Sequence, residues 1–307
     1  MMSELVLSIR DLRVTFDTPL GPLEAVRGVD LDVHAGEMMG VVGESGSGKS
    51  VTMMSLLGLL PMPPAEIRAG RVMFDGQDLL KVSAEDLRKV RGGKIGFIFQ
   101  DPMTSLNPVF TVGYQIAEPL RKHMGMSKKE AAARSQELLE LVGIPDAERR
   151  LDDYPHQFSG GMRQRVVIAL ALAAEPQLIV ADEPTTALDV SIQAQIISLL
   201  KKVCKDRGAA VMLITHDMGV IAETCDRVAV MYAGRIVEVG PVHQVIHHPE
   251  HPYTVGLMAS IPDMEVDRER LNQIDGAMPR LNAIPKGCAF NPRCPQVFDR
   301  CRHERPE

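Results

Sequence analysis

The sequence predicts an α/β protein with a parallel-sheet core, an antiparallel β-subdomain near the N-terminus, an inserted α-helical subdomain and a C-terminal extension. Three observations lead to this prediction. Short apolar runs alternate with segments at helical spacing, which favours a parallel sheet covered by helices on both faces. Residues 101–175 carry helical patterns and few strand signals. From residue 241 onward the chain is rich in Pro, Arg and Cys.

The first hundred residues are predicted to form mainly strands. Alternating patterns or short apolar runs predict strands over 5–16, 23–37, 38–43 and 94–100, and a hairpin over 70–80. A helix is predicted from Lys49 to about Leu60, where the prolines of "PMPP" stop it.

The core is predicted to resume after the helical insertion. Further strands are predicted over 177–183 and 209–217, with a closing hairpin over 231–240. A helix over 187–203 would bury one face, formed by Ile192, Ile196, Leu199 and Val203. The predicted organisation is a core of residues 1–100 and 176–240, a helical subdomain of residues 101–175, and an extension of residues 241–307.

Composition limits the classes of partner. The 307 residues carry a formal net charge of −6, no Trp and only 4% aromatic residues. Such a chain lacks the basic field and the stacking side chains used to bind nucleic acid, so we expect no nucleic-acid partner.

The longest clean apolar run, "VVIALALAA" (166–174), is shorter than the roughly 20 residues of a membrane span. Because no signal-peptide pattern opens the chain, we expect a cytoplasmic protein.

A glycine-rich loop provides the strongest chemical signal. "GESGSGKS" (43–50) matches G-x-x-x-x-G-K-[ST] and lies between a predicted strand and a predicted helix. Its glycines allow the backbone to curl so that N–H groups face phosphates. The pattern predicts that Lys49 reaches the β- and γ-phosphates and that the Ser50 hydroxyl ligates Mg²⁺.

Polar residues end or follow three of the predicted core strands. Asp182 and Glu183 end "LIVADE". Gln100 ends "GFIFQ", and His216 follows "VMLIT". Because the carboxyl ends of parallel strands share one edge of a sheet, we expect these side chains beside the phosphate loop. At that edge Asp182 is predicted to hold the Mg²⁺ shell and Glu183 to polarise a water molecule.

With two further motifs, this set resembles the nucleotide-binding domain of ABC ATPases, which has a RecA-like core. Six motifs occur in the order of that family: Walker A "GESGSGKS", the Q-loop residue Gln100, the signature "FSGGM" (158–162), Walker B "LIVADE" (178–183), the D-loop "TALD" ending in Asp189, and the switch residue His216. The resemblance implies ATP and Mg²⁺ as ligands. It also implies hydrolysis of the β–γ bond by water.

The same resemblance implies a role for each site residue. Glu183 would be the general base or orient the water, His216 would contact the γ-phosphate, and Gln100 would sense the γ-phosphate and the metal. Lys49 would neutralise developing charge. The Mg²⁺ ligands would be Ser50, Gln100 and Asp182. The nucleotide-binding set would be Phe16, as the residue stacked on adenine, with Gly43, Glu44, Ser45, Gly46, Ser47, Gly48, Lys49, Ser50, Val51 and Gln100.

The signature is a second anion-binding turn in one chain. Ser159, Gly160 and Gly161 stand directly before a long apolar helical run, where free backbone N–H groups are available. Met162 follows where the common form of the family has Gln. ABC domains pair head to tail, so the resemblance implies that this turn closes over the ATP held by a partner domain.

Longer stretches are similar to the ATPase subunits of dipeptide and oligopeptide importers. They are 100–116, 154–166, 181–196, 247–254 and 287–301. This similarity implies ATP-driven peptide import, with the chain bound peripherally at the cytoplasmic face of the inner membrane. The implied partners are two transmembrane permease subunits, a sister ATPase as heterodimer partner, and indirectly an extracytoplasmic peptide-binding protein.

The substrate and some non-transport roles stay open at this point. Importers of nickel, glutathione or other small peptides would use similar ATPase chains. A tandem translation factor would need a second phosphate loop, and a DNA-repair ATPase would need a long coiled-coil or zinc-bearing insertion. A non-catalytic binding subunit is disfavoured by the presence of Glu183 and His216.

Three cysteines lie close together in the C-terminal extension. Cys288, Cys294 and Cys301 have the spacing C-x5-C-x6-C. Zinc usually binds more tightly spaced pairs, whereas iron–sulfur clusters use thiolates, usually four. The importer ATPases carry a similar tail that resembles a [4Fe-4S] site. The resemblance therefore implies a cluster completed either by a cysteine further along the natural chain or by another group such as His303, a partner or water. Reduced thiols in a loose tail are the alternative.

Overall fold

The computed structural model describes residues 4–19, 21–185, 188–260 and 274–306. The strands are β1 (Leu5–Thr18), β2 (Gly21–His34), β3 (Met38–Val42), β4 (Ala65–Phe74), β5 (Gln77–Asp78), β6 (Ile95–Ile98), β7 (Leu178–Asp182), β8 (Ala210–Ile214), β9 (Arg227–Tyr232) and β10 (Arg235–Pro241). The helices are α1 (Lys49–Leu56), α2 (Ala84–Val90), α3 (Pro102–Ser105), α4 (Val112–Met124), α5 (Lys128–Leu141), α6 (Ala147–Arg150), α7 (Gly160–Leu172), α8 (Val190–Arg207), α9 (Met218–Thr224), α10 (Val242–His247) and α11 (Pro252–Ala259). Short 3₁₀ turns cover Pro155–Gln157, Asn291–Arg293 and Asp299–Arg302.

The chain divides into two compact units. The first unit consists of Met1–Val6, Val33–Met38 and Lys81–Ile214. The second unit consists of Leu7–Asp32, Met39–Leu80 and Thr215–Glu307. Among the residues that the model describes, no helix combines the length and the apolar character needed to cross a bilayer.

Three parallel strands form the sheet of the first unit. Their order is β6-β7-β8, with Ile95 paired with Leu178 and Leu178 paired with Ala210. Every residue of β7 and β8 is buried. Strands buried on both faces require continuous apolar runs, which explains why the sequence predicted these two strands correctly.

Several helices of the first unit begin at side-chain caps. Thr111 caps α4, Ser159 caps α7, and Ser127 with Glu130 forms a reciprocal capping box at the start of α5. These caps satisfy backbone N–H groups that have no partner within the helix. Most of α7 is buried, in agreement with its nearly continuous apolar sequence.

Helix α8 buries a different set of side chains from the predicted one. Ile196 and Val203 are buried as expected, but Ile192 and Leu199 are partly exposed. The buried residues are Ile196, Ile197, Leu200, Val203 and Cys204. The apolar stripe is therefore wider than one row at i, i+4, i+7 spacing, and its centre is shifted around the helix.

An antiparallel sheet with strand order β2-β1-β4-β5 forms one part of the second unit. The predicted hairpin turns at Asp75 and Gly76, whose φ angles are 48° and 73°. The register of β1 on β4 shifts between Arg10 and Val14. Gly70 lies opposite this irregularity, and a Cβ there would be 2.7 Å from the Leu12 Cα, so only glycine fits.

The other sheet segment of the second unit has the order β10-β9-β3. Strand β3 runs parallel to β9, which forms an antiparallel hairpin with β10. Helix α1 follows β3 and ends at Leu56, four residues before the predicted end. Gly58 has a φ of 56°, and the Leu59 N–H donates to the Met54 carbonyl. A left-handed glycine thus stops the helix before the prolines do.

Candidate functional site

The phosphate loop lies in the second unit between β3 and α1. Gly43, Gly46 and Gly48 have φ angles of 150°, 80° and 103°. A Cβ on Gly43 would lie 2.2 Å from the Met231 carbonyl oxygen. A Cβ on Gly48 would lie 2.8 Å from the Ala25 carbonyl oxygen. Positions 43 and 48 therefore require glycine.

Lys49 provides the positive charge of the loop. Its side chain is buried, and Nζ donates to the carbonyl oxygens of Gly43 at 2.7 Å and of Glu44 at 3.0 Å. The exposed Ser50 follows in the first turn of α1. A glycine cradle, an ammonium group and a helix N-terminus together fit a phosphate group. A hydroxyl such as that of Ser50 is an oxygen ligand of the kind that Mg²⁺ accepts.

Gln100 and Glu183 meet in the first unit. The Gln100 Nε2 donates to the Glu183 Oε2 at 2.9 Å. Gln100 follows β6 and Glu183 follows β7, so the parallel pairing of these strands explains the contact. The sequence predicted this juxtaposition from the strand ends. Carboxylate and amide oxygens such as those of Asp182 and Gln100 also suit Mg²⁺.

The backbone turns sharply between Asp182 and Glu183. Asp182 ends β7 and is buried, whereas Glu183 is partly exposed and has a φ of 47°. A left-handed conformation is uncommon for glutamate and often marks a functional position. The Glu183 N–H donates to the Ile214 carbonyl at 2.9 Å, which fixes the turn. The two acidic residues therefore have different environments, one buried and one partly exposed beside the Gln100 amide, and can serve different purposes.

The signature turn begins α7 in the first unit. Ser159 is the N-cap, and its hydroxyl accepts a hydrogen bond from the Met162 N–H at 3.3 Å. Gly160 is exposed, and a Cβ there would have no atom within 4 Å. Gly161 is buried, and a Cβ there would lie 3.0 Å from the Ile192 Cδ1. The N-terminal amides of a helix lack intrahelical partners, so the exposed Gly160 presents an N–H donor at an open surface.

The remaining predicted site residues lie at several places. His216 is exposed in the second unit, directly before Asp217, whose carboxylate caps α9. Asp189 is the exposed N-cap of α8 in the first unit. Two residues of the D-loop, 186–187, lie outside the described residues. Phe16 is partly exposed on β1, where it pairs with Ala65.

The predicted iron–sulfur cluster is wrong. Within the described parts of the chain, no group of three or more His, Cys, Asp or Glu side chains is arranged to hold a metal ion. Cys288 and Cys301 are joined instead through the backbone, by a hydrogen bond from the Cys288 N–H to the Cys301 carbonyl at 2.9 Å. Burial raises the pKa of the Cys288 thiol, which disfavours the thiolate that a metal would require.

Two residues that contact the phosphate loop were missed by the sequence analysis. The Tyr253 hydroxyl accepts a hydrogen bond from the Glu44 N–H at 3.0 Å. Arg293 donates to the Glu44 carboxylate at 2.9 Å. These residues lie 209 and 249 positions from Glu44, so no local pattern links them to the loop.

Comparison with known proteins defines the class of this protein. A family model described as "ABC transporter" matches residues 26–186. The chain therefore belongs to the ABC transporter family, as an ATP-hydrolysing subunit. A second model, described as the C-terminal region of oligopeptide and dipeptide transporters, matches residues 237–301 and specifies the branch within that family.

Individual relatives agree with this membership. The dipeptide transport ATP-binding protein DppD of Bacillus subtilis is 51% identical over 303 residues, which are 99% of this chain and 90% of that protein. The oligopeptide transport ATP-binding protein OppD of the same organism is 54% identical over 286 residues, or 93% of this chain and 80% of that protein.

A solved structure confirms the predicted fold class. It is a dimeric ATP-binding cassette in a post-hydrolysis state, bound to ADP and Pi. The TM-score is 0.70 at 30% identity, with 77% of this chain and 99% of that chain covered. ATP-binding subunits of this family act with membrane permease subunits and associate with the membrane from its periphery.

Proposed function

We propose that this chain binds and hydrolyses ATP to power the import of di- and oligopeptides through separate membrane subunits. The hydrogen bond from Gln100 to Glu183 carries the hydrolytic assignment, because it joins a γ-phosphate sensor to the residue that would orient water. The match of residues 237–301 to the C-terminal region of peptide transporters supports the substrate class.

The chain would act on ATP by positioning and by charge stabilisation. Lys49 and the amides of the phosphate loop would hold the β- and γ-phosphates. Glu183 would orient the attacking water, and His216 would keep that water aligned with the γ-phosphate. Mg²⁺, when held by Ser50, Gln100 and Asp182, supplies charge neutralisation at the phosphates. Gln100 would sense the γ-phosphate and the metal and pass that state to the helical subdomain.

The proposed active form is a pair of ATPase domains. Ser159 and the amides of Gly160 and Gly161 would close over the partner's ATP. Ser159 and Gly160 are exposed, Gly161 is buried, and the turn has no lysine. Such a turn suits the ATP bound by a partner domain better than the chain's own. The similar cassette that was solved is dimeric, which favours the same arrangement here. We further propose that the partner is a sister ATPase rather than a second copy.

The proposed setting is the cytoplasmic face of the inner membrane. Two transmembrane permease subunits would receive the energy of ATP, and an extracytoplasmic peptide-binding protein would deliver the substrate. Nickel and glutathione are alternative cargoes. The three organised regions of the chain would be the core (1–100 and 176–240), the helical subdomain (101–175) and the C-terminal extension (241–307).

Reconstitution tests this function. The chain is purified with its sister ATPase and permease subunits, placed in proteoliposomes, and supplied with ATP and the binding protein. We expect a labelled dipeptide to accumulate and to stimulate ATP turnover, whereas Ni²⁺ and glutathione do neither. ATP turnover stimulated by Ni²⁺ or glutathione, but not by any peptide, would overturn the substrate assignment and leave the ATPase assignment standing.

A further inference from the structure

The phosphate loop is held by residues from the end of the chain. Arg293 Nη1 donates to both carboxylate oxygens of Glu44, at 2.9 and 3.2 Å. Glu44 is the second residue of the phosphate loop. The Met278 Cε would lie 3.2 Å from a Cβ on Gly46, so a second C-terminal side chain packs directly on the loop. All these residues belong to the second unit.

The Arg293 side chain is held in place by contacts other than the one with Glu44. Its side chain is only 6% exposed. Nε donates to the Asp275 carbonyl at 3.0 Å, and Nη2 donates to the Ile274 carbonyl at 3.4 Å. Burial by itself would lower the pKa of Arg293, but hydrogen bonds to Tyr232 and Glu44 raise it above its ordinary value. The guanidinium is therefore a permanent, oriented charge.

An aromatic cluster supports this arginine and reaches the loop backbone. Tyr232, Tyr253 and Phe290 are fully buried, with ring centroids 4.6 to 5.5 Å apart. The guanidinium lies over the rings of Tyr232 and Phe290, at 5.8 and 5.9 Å from their centroids. Burial raises the pKa of Tyr253, so its hydroxyl is neutral when it accepts from the Glu44 N–H.

A carboxylate on a phosphate loop has an electrostatic cost. Left unpaired, Glu44 would repel the negative phosphates that the loop binds, and this repulsion is strong where water is excluded. Arg293 cancels that charge and ties the side chain to the C-terminal segment. The fixed contacts also reduce the conformational freedom that the loop would lose on binding.

We propose that Arg293 is a positioning residue for nucleotide binding, which neutralises Glu44 and holds the phosphate loop in its binding conformation. This inference rests on the proposed assignment of residues 43–50 as the ATP-binding loop. It gives the C-terminal segment a part in the affinity for ATP, in addition to any role in transport.

The test measures nucleotide affinity in the full-length chain with a fluorescent ATP analogue. We expect Arg293→Ala to raise the Kd about tenfold, within the usual range of coupling between sites. Glu44→Gln should raise the Kd less than Arg293→Ala does, because it leaves no unpaired carboxylate beside the phosphates. The double variant Glu44→Gln/Arg293→Ala should bind within about threefold of wild type, because no unpaired carboxylate is left. A merely structural role of Arg293 would not produce this rescue.

Matched variants separate charge from folding. Arg300→Ala removes an exposed arginine of the same segment, paired with Glu304 at 2.6 Å, and should leave the Kd unchanged. Arg293→Lys keeps the charge and should bind better than Arg293→Ala. Thermal unfolding of each variant is measured to check that it is folded. Without nucleotide, the backbone amides of residues 43–50 should exchange hydrogen faster in Arg293→Ala than in wild type.

Two outcomes would overturn the inference. One is a folded Arg293→Ala variant with wild-type affinity. The other is a double variant that binds as weakly as Arg293→Ala alone. Both outcomes leave the ATPase assignment intact, whereas a wild-type chain whose nucleotide binding does not depend on Lys49 would overturn that assignment and this inference together.

Discussion

The phosphate loop and the signature turn are both glycine-rich entries to a helix, but they differ in every other respect. In the phosphate loop, glycines adopt positive φ angles and pack against backbone atoms around a buried lysine. In the signature turn, Gly160 is helical and open, and a serine hydroxyl caps the helix. The phosphate loop can bind phosphate with its own residues, including a lysine, whereas the signature turn offers only hydrogen-bond donors without a positive charge. Under the proposed pairing, the same local chemistry serves two different molecules, the chain's own ligand and that of a partner.

The largest effect is expected for Glu183, which lies in neither turn and would orient the attacking water. Glu183→Gln should lower ATP turnover of the assembled transporter about a thousandfold, because the water loses its orienting carboxylate. ATP affinity should stay near that of wild type, since the phosphate loop is untouched. Turnover and affinity are measured in the same preparation, with the exposed Glu148→Gln as control. Hydrolysis within a few-fold of wild type would remove Glu183 from the mechanism.

The next effect concerns the stability of the phosphate loop. Gly43→Ala should lower the free energy of unfolding by about 3 kcal/mol, because the new Cβ meets the Met231 carbonyl at 2.2 Å. Gly76→Ala is the matched control: its φ is also positive, at 73°, but a Cβ there meets nothing within 4 Å. It should cost about 1 kcal/mol. Equal losses in chemical denaturation would show that backbone conformation alone, without close packing, makes glycine necessary.

The third prediction tests which of the two turns binds ATP in the isolated chain. Lys49→Ala should weaken ATP binding by the isolated chain about a hundredfold, as expected for loss of a charge-assisted contact. Substitution of Gly160 by Val should leave the same affinity unchanged. A titration of both variants decides the matter. If Gly160→Val weakened ATP binding by the isolated chain, the signature turn would serve the chain's own nucleotide.

The smallest expected effect tests the proposed partner. A Cβ on Gly160 would have no atom within 4 Å in the isolated chain, so Gly160→Val should not lower the midpoint of thermal unfolding. In the assembled transporter the added side chain would obstruct the approach of the partner's ATP, and turnover should fall about tenfold. The comparison is between turnover in the complex and stability of the chain alone. Unchanged turnover would contradict the proposed pairing.

Much of the fold was predictable because its strands are buried on both faces. Strands β7 and β8 appear in the sequence as uninterrupted apolar runs, and their carboxyl ends carry the polar residues of the candidate site. The contact of Gln100 with Glu183 followed from that arrangement. The end of α1 and the buried face of α8 were predicted less well, because one depends on a single left-handed glycine and the other on packing.

The cysteines show how a resemblance between sequence segments can mislead. Cys288, Cys294 and Cys301 are near one another in sequence, but ligation depends on where each sulfur points and on its charge state. In the fold the segment is organised by backbone hydrogen bonds and by the aromatic cluster around Phe290. The nearby Arg293, to which the sequence assigned no role, makes the contact with the phosphate loop.

The sequence by itself determined the class of this protein, because phosphate binding and hydrolysis need particular residues at fixed local spacings. Tertiary structure alone decided that Tyr253 and Arg293 hold Glu44, and that the cysteines do not form a metal site. Local spacing constrains residues within one turn or one strand end. Contacts between segments more than 200 positions apart depend on how the whole unit packs, and only the folded chain contains that information.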